Sequence, residues 1–228
     1  MLGASVLEAA FLKRPSAPTY LGVGLVEEAV KLAALGLLAW RLPRYTMRDG
    51  IVLGAAVGFG FAAFESAGYA FNALFTGGPS LLNLVETEVL RGILAPVGHG
   101  LWTAILGGTL FAVAARHGRL RLGRAVLGWY VVVALLHGLW DASRGIAVWL
   151  TLLLTGTQVQ RLLLELGRVP AVTPSQVHLF TVISWGLLAL DGLLGLAVLR
   201  VRWRRATTAD RPATTAMLSP AIGGRGQG

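Results

Sequence analysis

Hydrophobic residues along this chain fall in long blocks divided by short polar breaks, unlike the short alternating runs of a soluble domain. A membrane-crossing helix needs about 20 mostly apolar residues. Five stretches qualify: Thr19–Trp40, Asp49–Phe71, Gly92–Ala115, Arg124–Leu150 and Val177–Leu199. The fourth is long enough to tilt or to extend past the bilayer. Between the second and third, "SLLNLVETEVLRG" sets apolar residues at helical spacing against charges, the pattern of a helix lying in the interface. From Thr207 onward Thr, Pro and Gly dominate, so residues 207–228 read as a disordered polar tail behind a membrane domain of residues 1–206. The expected fold is all-α: a polytopic membrane helical bundle of about five transmembrane helices plus one interfacial helix.

Composition agrees with the pattern. Of 228 residues, 55% are hydrophobic and 14% charged, a balance outside the range of soluble domains. Thirty glycines suit close helix packing in lipid, where small residues let backbones approach. With no cysteine in the chain, disulfides, thiolate zinc sites and cysteine nucleophiles are excluded. The N-terminus does not read as a signal peptide, because the apolar run Met1–Leu12 precedes the positive pair Lys13 and Arg14, the reverse of the usual order.

The net charge of +9 raises a nucleic-acid partner, and the positions of the arginines remove it. Arg41, Arg44 and Arg48 lie between spans one and two. Arg116, Arg119, Arg121 and Arg124 lie between spans three and four, and Arg200, Arg202, Arg204 and Arg205 follow span five. All fall on one side of a five-span topology, while Lys13, Arg14, Arg91, Arg161 and Arg168 fall on the other. The positive-inside rule then gives a multi-pass protein of the cell membrane with its N-terminus outside and its C-terminus cytoplasmic. Trp40, Trp149 and Trp203 fit interfacial anchors.

Against this background the polar residues inside the spans stand out, since ions in hydrocarbon are costly unless paired or facing a polar cavity. "GLVEEAVKLAALGLLAW" carries Glu27, Glu28 and Lys31 in one span. At 1.5 Å per residue, Glu28, Glu65, His99 and His137 all lie roughly 18–24 Å above the inner boundary, in the outer half of the core. Four helices running in alternating directions thus deliver two carboxylates and two imidazoles to one level. Glu27 and Glu28 stand four and three residues before Lys31, the favourable order for helical ion pairs. In "HGLWD" and "HGLWT", His137 shares a helix face with Asp141, and His99 with Thr103. Asp141 is the residue expected to hold the His137 ring in one tautomer. Asp191, in span five, reads as structural before catalytic, and His117 and His178 read as solvated.

Four ordered motifs carry a family resemblance. They are "VEEAVK", "RDGIVLGAAVGFGFAAFESAGY" with its F-x-x-x-E, "LRGILAPVGHGLWT" and "ALLHGLWDA". Together they make the chain resemble the PrsW intramembrane proteases, relatives of the type II CAAX prenyl endopeptidases, over roughly Gly22 to Ser143. The resemblance implies that Glu27 and Glu28 are catalytic carboxylates, the first being the base. It implies that Glu65, His99 and His137 complete the site and that Lys31, Arg91 and Asp141 support it. It also implies a membrane-anchored protein substrate, with an anti-sigma factor as the best-known example. Where the family often has Asn after the second-motif glutamate, this chain has Ser66.

Amide hydrolysis needs an activated water, a stabilised oxyanion and a proton for the leaving amine. Without a cysteine or a G-x-S-x-G there is no evident covalent nucleophile. A buried glutamate restrained by Lys31 can act as base, one histidine can donate to the oxyanion, and the other can position water. The metal-free glutamate course needs no cofactor. The alternative is zinc, held by Glu65, His99 and His137 with an open position. Two other classes compete: a non-catalytic membrane scaffold of the same fold, which would not need Glu27, Glu28 and Glu65, and a proton- or ion-coupled transporter, which would normally show internal repeats. The expected function is an intramembrane endopeptidase cutting near the outer leaflet, its partners being membrane lipid and the substrate.

Overall fold

A computed structural model of the chain describes residues 17–76, 89, 92–94, 97–168 and 170–217. Six helices follow in order: α1 Ala17–Ala39, α2 Met47–Thr76, α3 His99–His117, α4 Arg124–Thr155, α5 Gln158–Glu165 and α6 Pro174–Met217. No strand occurs among the described residues. Among the described residues, four segments are long and apolar enough to cross a membrane: Met47–Gly68, Gly92–His117, Arg124–Thr155 and Pro174–Thr207. At 23 residues, α1 has the length of a fifth, ~35 Å at 1.5 Å per residue, and differs only in carrying Glu27, Glu28 and Lys31. The expected interfacial helix falls on residues 80–92, which lie outside the described residues apart from 89 and 92. Arg91 lies outside them too. The last helix continues through Thr207, where the polar tail was expected to begin, to Met217.

Local chemistry sets the helix ends. The Thr46 hydroxyl accepts the backbone N–H of Asp49 at 3.1 Å, which caps the start of α2. The Tyr45 hydroxyl donates to the Ala39 carbonyl at 3.3 Å, satisfying an end of α1. Gly118, with φ of 68°, closes α3 in the left-handed conformation that glycine adopts without strain. A capping box of Thr157 and Gln160 starts α5. Gln160 also donates to the Ala171 carbonyl at 2.7 Å, and Gln176 donates to that of Thr155 at 3.3 Å. This amide network turns the chain from α4 into α6 and was not foreseen, because it joins residues far apart in sequence.

The bundle is built from two tight pairs. In α2–α3, Gly50 packs against the Gly107 carbonyl, Gly54 against that of Thr103, and Gly58 against that of His99. Steps of four residues in opposite directions fix an antiparallel register. Because helical side chains tilt toward their own N-termini, that register brings the Glu65 and His99 side chains toward each other. In α1–α4, Gly24 meets the backbone of Ala134 and Gly138, while Gly138 meets that of Tyr20 and Leu21. The α3 helix is the most enclosed, with Leu101, Trp102, Ala104, Ile105, Leu106, Leu110 and Phe111 all buried. Toward the arginine-rich end, Leu35, Leu110, Phe111 and Val126 form one apolar cluster. Nearer the middle, Trp102, Ile105, Leu106 and Val133 form another, with Val198 and Leu199 of α6 packed on it.

The glycine register makes a testable demand. A Cβ at Gly58 would collide with a backbone carbonyl, which cannot rotate away, whereas nothing lies within 4 Å of one at Gly60. Gly58→Ala is therefore expected to destabilise by about 1–3 kcal/mol through overpacking. Gly60→Ala should leave stability level or slightly raised, as Ala favours helix over Gly. Unfolding midpoints of the two variants in the same detergent check this; equal midpoints would contradict the close α2–α3 contact.

Candidate active site

The polar residues of four helices meet where the two pairs face each other. From α1 come Glu27, Glu28 and Lys31; from α2, Glu65; from α3, His99; and from α4, His137. Glu28, Lys31 and His137 are no more than 2% exposed, and Glu27 is 6% exposed, so these ionisable groups must answer one another. Lys31 Nζ lies 2.7 Å from Glu28 Oε1 and 3.4 Å from Glu27 Oε2. It also reaches across to His99 Nδ1 at 2.7 Å and stands 4.3 Å from the centroid of the Phe61 ring. His137 Nδ1 lies 2.9 Å from the same Glu28 oxygen, and its Nε2 lies 3.6 Å from Glu27 Oε2. His99 Nε2 lies 3.0 Å from Glu65 Oε2.

Glu28 is thus the hub, one oxygen joining Lys31 of its own helix to His137 of α4. It joins the expected partner of the ring, Asp141, which stands at the other nitrogen. Asp141 Oδ2 lies 3.6 Å from His137 Nε2, on the far side of the ring, and Glu28 has already engaged Nδ1. The i,i+4 spacing brings Asp141 near, but the nitrogen that fixes the ring is met by another helix. The buried Thr103 hydroxyl makes no hydrogen bond among the described residues.

Aromatic rings wall the cluster. Trp102, fully buried, stacks on His137 at 4.8 Å and 29°, and Trp140 meets Trp102 edge-on at 5.7 Å. The two imidazoles are themselves 5.1 Å apart, ring centre to ring centre. Neither tryptophan was singled out from the sequence, although each stands three residues after a site histidine in the repeated "HGLW". Tyr130 adds a brace by donating to the Leu25 carbonyl at 2.6 Å.

Among the described residues, Glu27, His99 and His137 offer donor atoms that all lie within 4.8 Å of one another. One carboxylate and two imidazoles with a free fourth position is the donor set of a catalytic zinc. Two ligands of a tetrahedral ion at ~2.1 Å lie about 3.4 Å apart, close to the 3.6 Å between Glu27 Oε2 and His137 Nε2. The residues therefore fit a metal, and the carboxylate of the set is Glu27 where Glu65 was expected. Glu65 sits instead against His99 Nε2.

Residues 4–165 match the PrsW family of intramembrane metalloproteases. The chain belongs to this family. No curated protein and no solved structure matches it. Membership in the PrsW family implies intramembrane protease activity, and with it a hydrolase resident in the membrane. The matched region contains every residue of the cluster and ends before α6. Asp191, on that last helix, is 1% exposed, and neither of its carboxylate oxygens has a hydrogen-bond partner among the described residues. The other two histidines stand apart: His117 bonds the Val113 carbonyl at 2.8 Å, and His178 is exposed.

Proposed function

We propose that this PrsW-family chain is an endopeptidase that cuts membrane-anchored proteins near the outer leaflet, using water activated between Glu27 and His137. One observation carries the reading. With His137 Nδ1 committed to Glu28, the remaining nitrogen faces Glu27 Oε2 at 3.6 Å and Asp141 Oδ2 at 3.6 Å. That nitrogen lies between two carboxylates, and its Glu27 side, where His99 also brings a ring nitrogen, suits a proton-donating or cationic occupant. A water lying there can donate to both His137 and Glu27, and Glu27 can take its proton as the oxygen attacks the peptide carbonyl. Glu28 and Lys31 hold the base and the ring in place, and the tryptophans exclude bulk water.

The convergent donor set favours a second course. A zinc ion held by Glu27, His99 and His137 would lower the pKa of bound water and polarise the carbonyl. In either course Glu28 orients His137, and Trp102 holds its ring plane.

The outer-leaflet assignment is supported by charge and exposure. Arg48 stands over the ring of Trp203 at 5.0 Å and Arg202 over that of Trp129 at 5.0 Å, which gathers basic residues of α2 and α6 at one end. That end is cytoplasmic by the positive-inside rule. Lys31 and Glu28 are sealed, while the Glu65 and Asp141 side chains are 18% and 28% exposed, so the site opens at its Glu65–Asp141 rim. Both residues lie further along the outward-running α2 and α4. An anti-sigma factor is a substrate of the fitting kind. Retention of Glu27, Glu28 and Glu65 argues against a scaffold.

The test compares protein N-termini in membranes carrying wild type or the Glu27→Ala/Glu28→Ala double variant at equal abundance. New termini within the outer half of transmembrane segments are expected with wild type alone. Matching profiles would overturn the protease reading, and termini on the cytoplasmic side would overturn the topology. Repeating the wild-type assay after chelation, then with zinc restored, separates the two courses: loss and recovery supports the metal, and undiminished cutting supports glutamate alone.

A further inference from the structure

We infer that Lys31 is a positioning residue that fixes the tautomer of His99, so that the two site imidazoles are held in opposite tautomers. An ammonium has three protons and no acceptor. Three acceptors surround this one: Glu28 Oε1 at 2.7 Å, His99 Nδ1 at 2.7 Å and Glu27 Oε2 at 3.4 Å. Since Lys31 can only donate, His99 Nδ1 must present its lone pair, and the ring proton sits on Nε2. There it finds Glu65 Oε2 at 3.0 Å, an acceptor. The hydrogen bond at one ring nitrogen sets the state of the other.

At His137 the same rule runs the other way. Its Nδ1 meets the Glu28 carboxylate at 2.9 Å, so Nδ1 carries a proton, and in the neutral ring Nε2 is then bare. Glu28 therefore acts twice, directly on His137 and through Lys31 on His99. The consequences differ for the two rings. His137 presents a lone pair to the Glu27 side of the site, suited to a water proton or an ion. His99 presents an N–H to the Glu65 carboxylate at 3.0 Å, so a developing oxyanion would use it only in place of that carboxylate. An ion entering the Glu27, His99 and His137 set through His99 Nδ1 must first displace Lys31. The tautomers follow from these contacts with a charged Lys31 and neutral rings, whereas the roles given to them rest on the protease reading.

The experiment is 15N NMR of histidine-labelled, full-length protein in lipid nanodiscs, with chelator present and signals assigned by loss in His99→Gln and His137→Gln. In wild type, His99 should show a bare Nδ1 and a protonated Nε2, and His137 the reverse. Lys31→Arg keeps a donor and should keep that pattern. Lys31→Met should shift the His99 signals toward the other tautomer and leave His137 Nδ1 protonated. A protonated His99 Nδ1 in wild type, or a His99 spectrum unmoved in Lys31→Met, would overturn the inference. The wild-type spectrum decides by itself if Lys31→Met does not fold. Cleavage plays no part in this readout, so a failed protease reading would leave the result standing.

Discussion

Glu28→Ala is expected to destabilise the folded bundle by about 3–5 kcal/mol, the range for breaking a buried ion pair from one side. The carboxylate is fully buried and answers two donors with one oxygen, Lys31 Nζ and His137 Nδ1. Its removal leaves an ammonium with less compensating charge and an imidazole N–H with no acceptor, both in a site walled by Trp102 and Phe61. Each of those is costly to bury alone. Glu28→Gln keeps the shape and one acceptor oxygen but loses the charge, so its loss should be clearly smaller. Unfolding midpoints followed by tryptophan fluorescence in detergent give the comparison. Equal midpoints for Glu28→Ala and wild type would mean that Glu28 does not anchor the cluster.

Glu27→Gln should have the opposite profile, with cutting lost and the fold kept. Glu27 Oε2 lies 3.4 Å from Lys31 and 3.6 Å from His137, and an amide of the same shape fills the same space. An amide cannot take a proton from water, and loss of a general base costs about 10²–10⁴ in rate. The expected result is a drop of that size in cleavage of a membrane substrate, with an unfolding midpoint near that of wild type. A variant cutting within a few fold of wild type would remove Glu27 from the chemistry and make Asp141 or Glu65 the residue to test next.

The helices and the site differ in how far the sequence reveals them. Span positions follow from hydrophobic length, which the bilayer sets and no tertiary contact can override. The level shared by Glu28, Glu65, His99 and His137 was legible for the same reason, because depth is a count of residues along a helix. Which partner each group takes was not. Asp141 was expected beside His137 on i,i+4 spacing and lies 3.6 Å from its Nε2, whereas Glu28, which meets Nδ1 at 2.9 Å from another helix, was not foreseen there. Glu65 was expected as the carboxylate of a metal set, whereas the packing of α1 on α4 at Gly24 and Gly138 brings Glu27 to His137. Trp102 is a ring among many apolar residues until the fold lays it on His137. Asp191 has a place on the bundle-facing side of α6 and still no assigned role.

The Glu28–His137 contact joins residues 109 apart in sequence, and that separation has a meaning in time. A ribosome adding 5–20 residues per second takes roughly 5–20 s to cover it. For most of that interval α1 has been made, yet Glu28 lacks His137 and the helix has no α4 backbone to lie against, with His99 of α3 reaching Lys31 only part-way through. Lipid is a poor solvent for such a turn, so α1, made well before its partner α4, is among the last helices that can settle in hydrocarbon. The chemistry that serves the finished site thereby imposes a waiting period on its own birth, ended only when the fourth helix arrives.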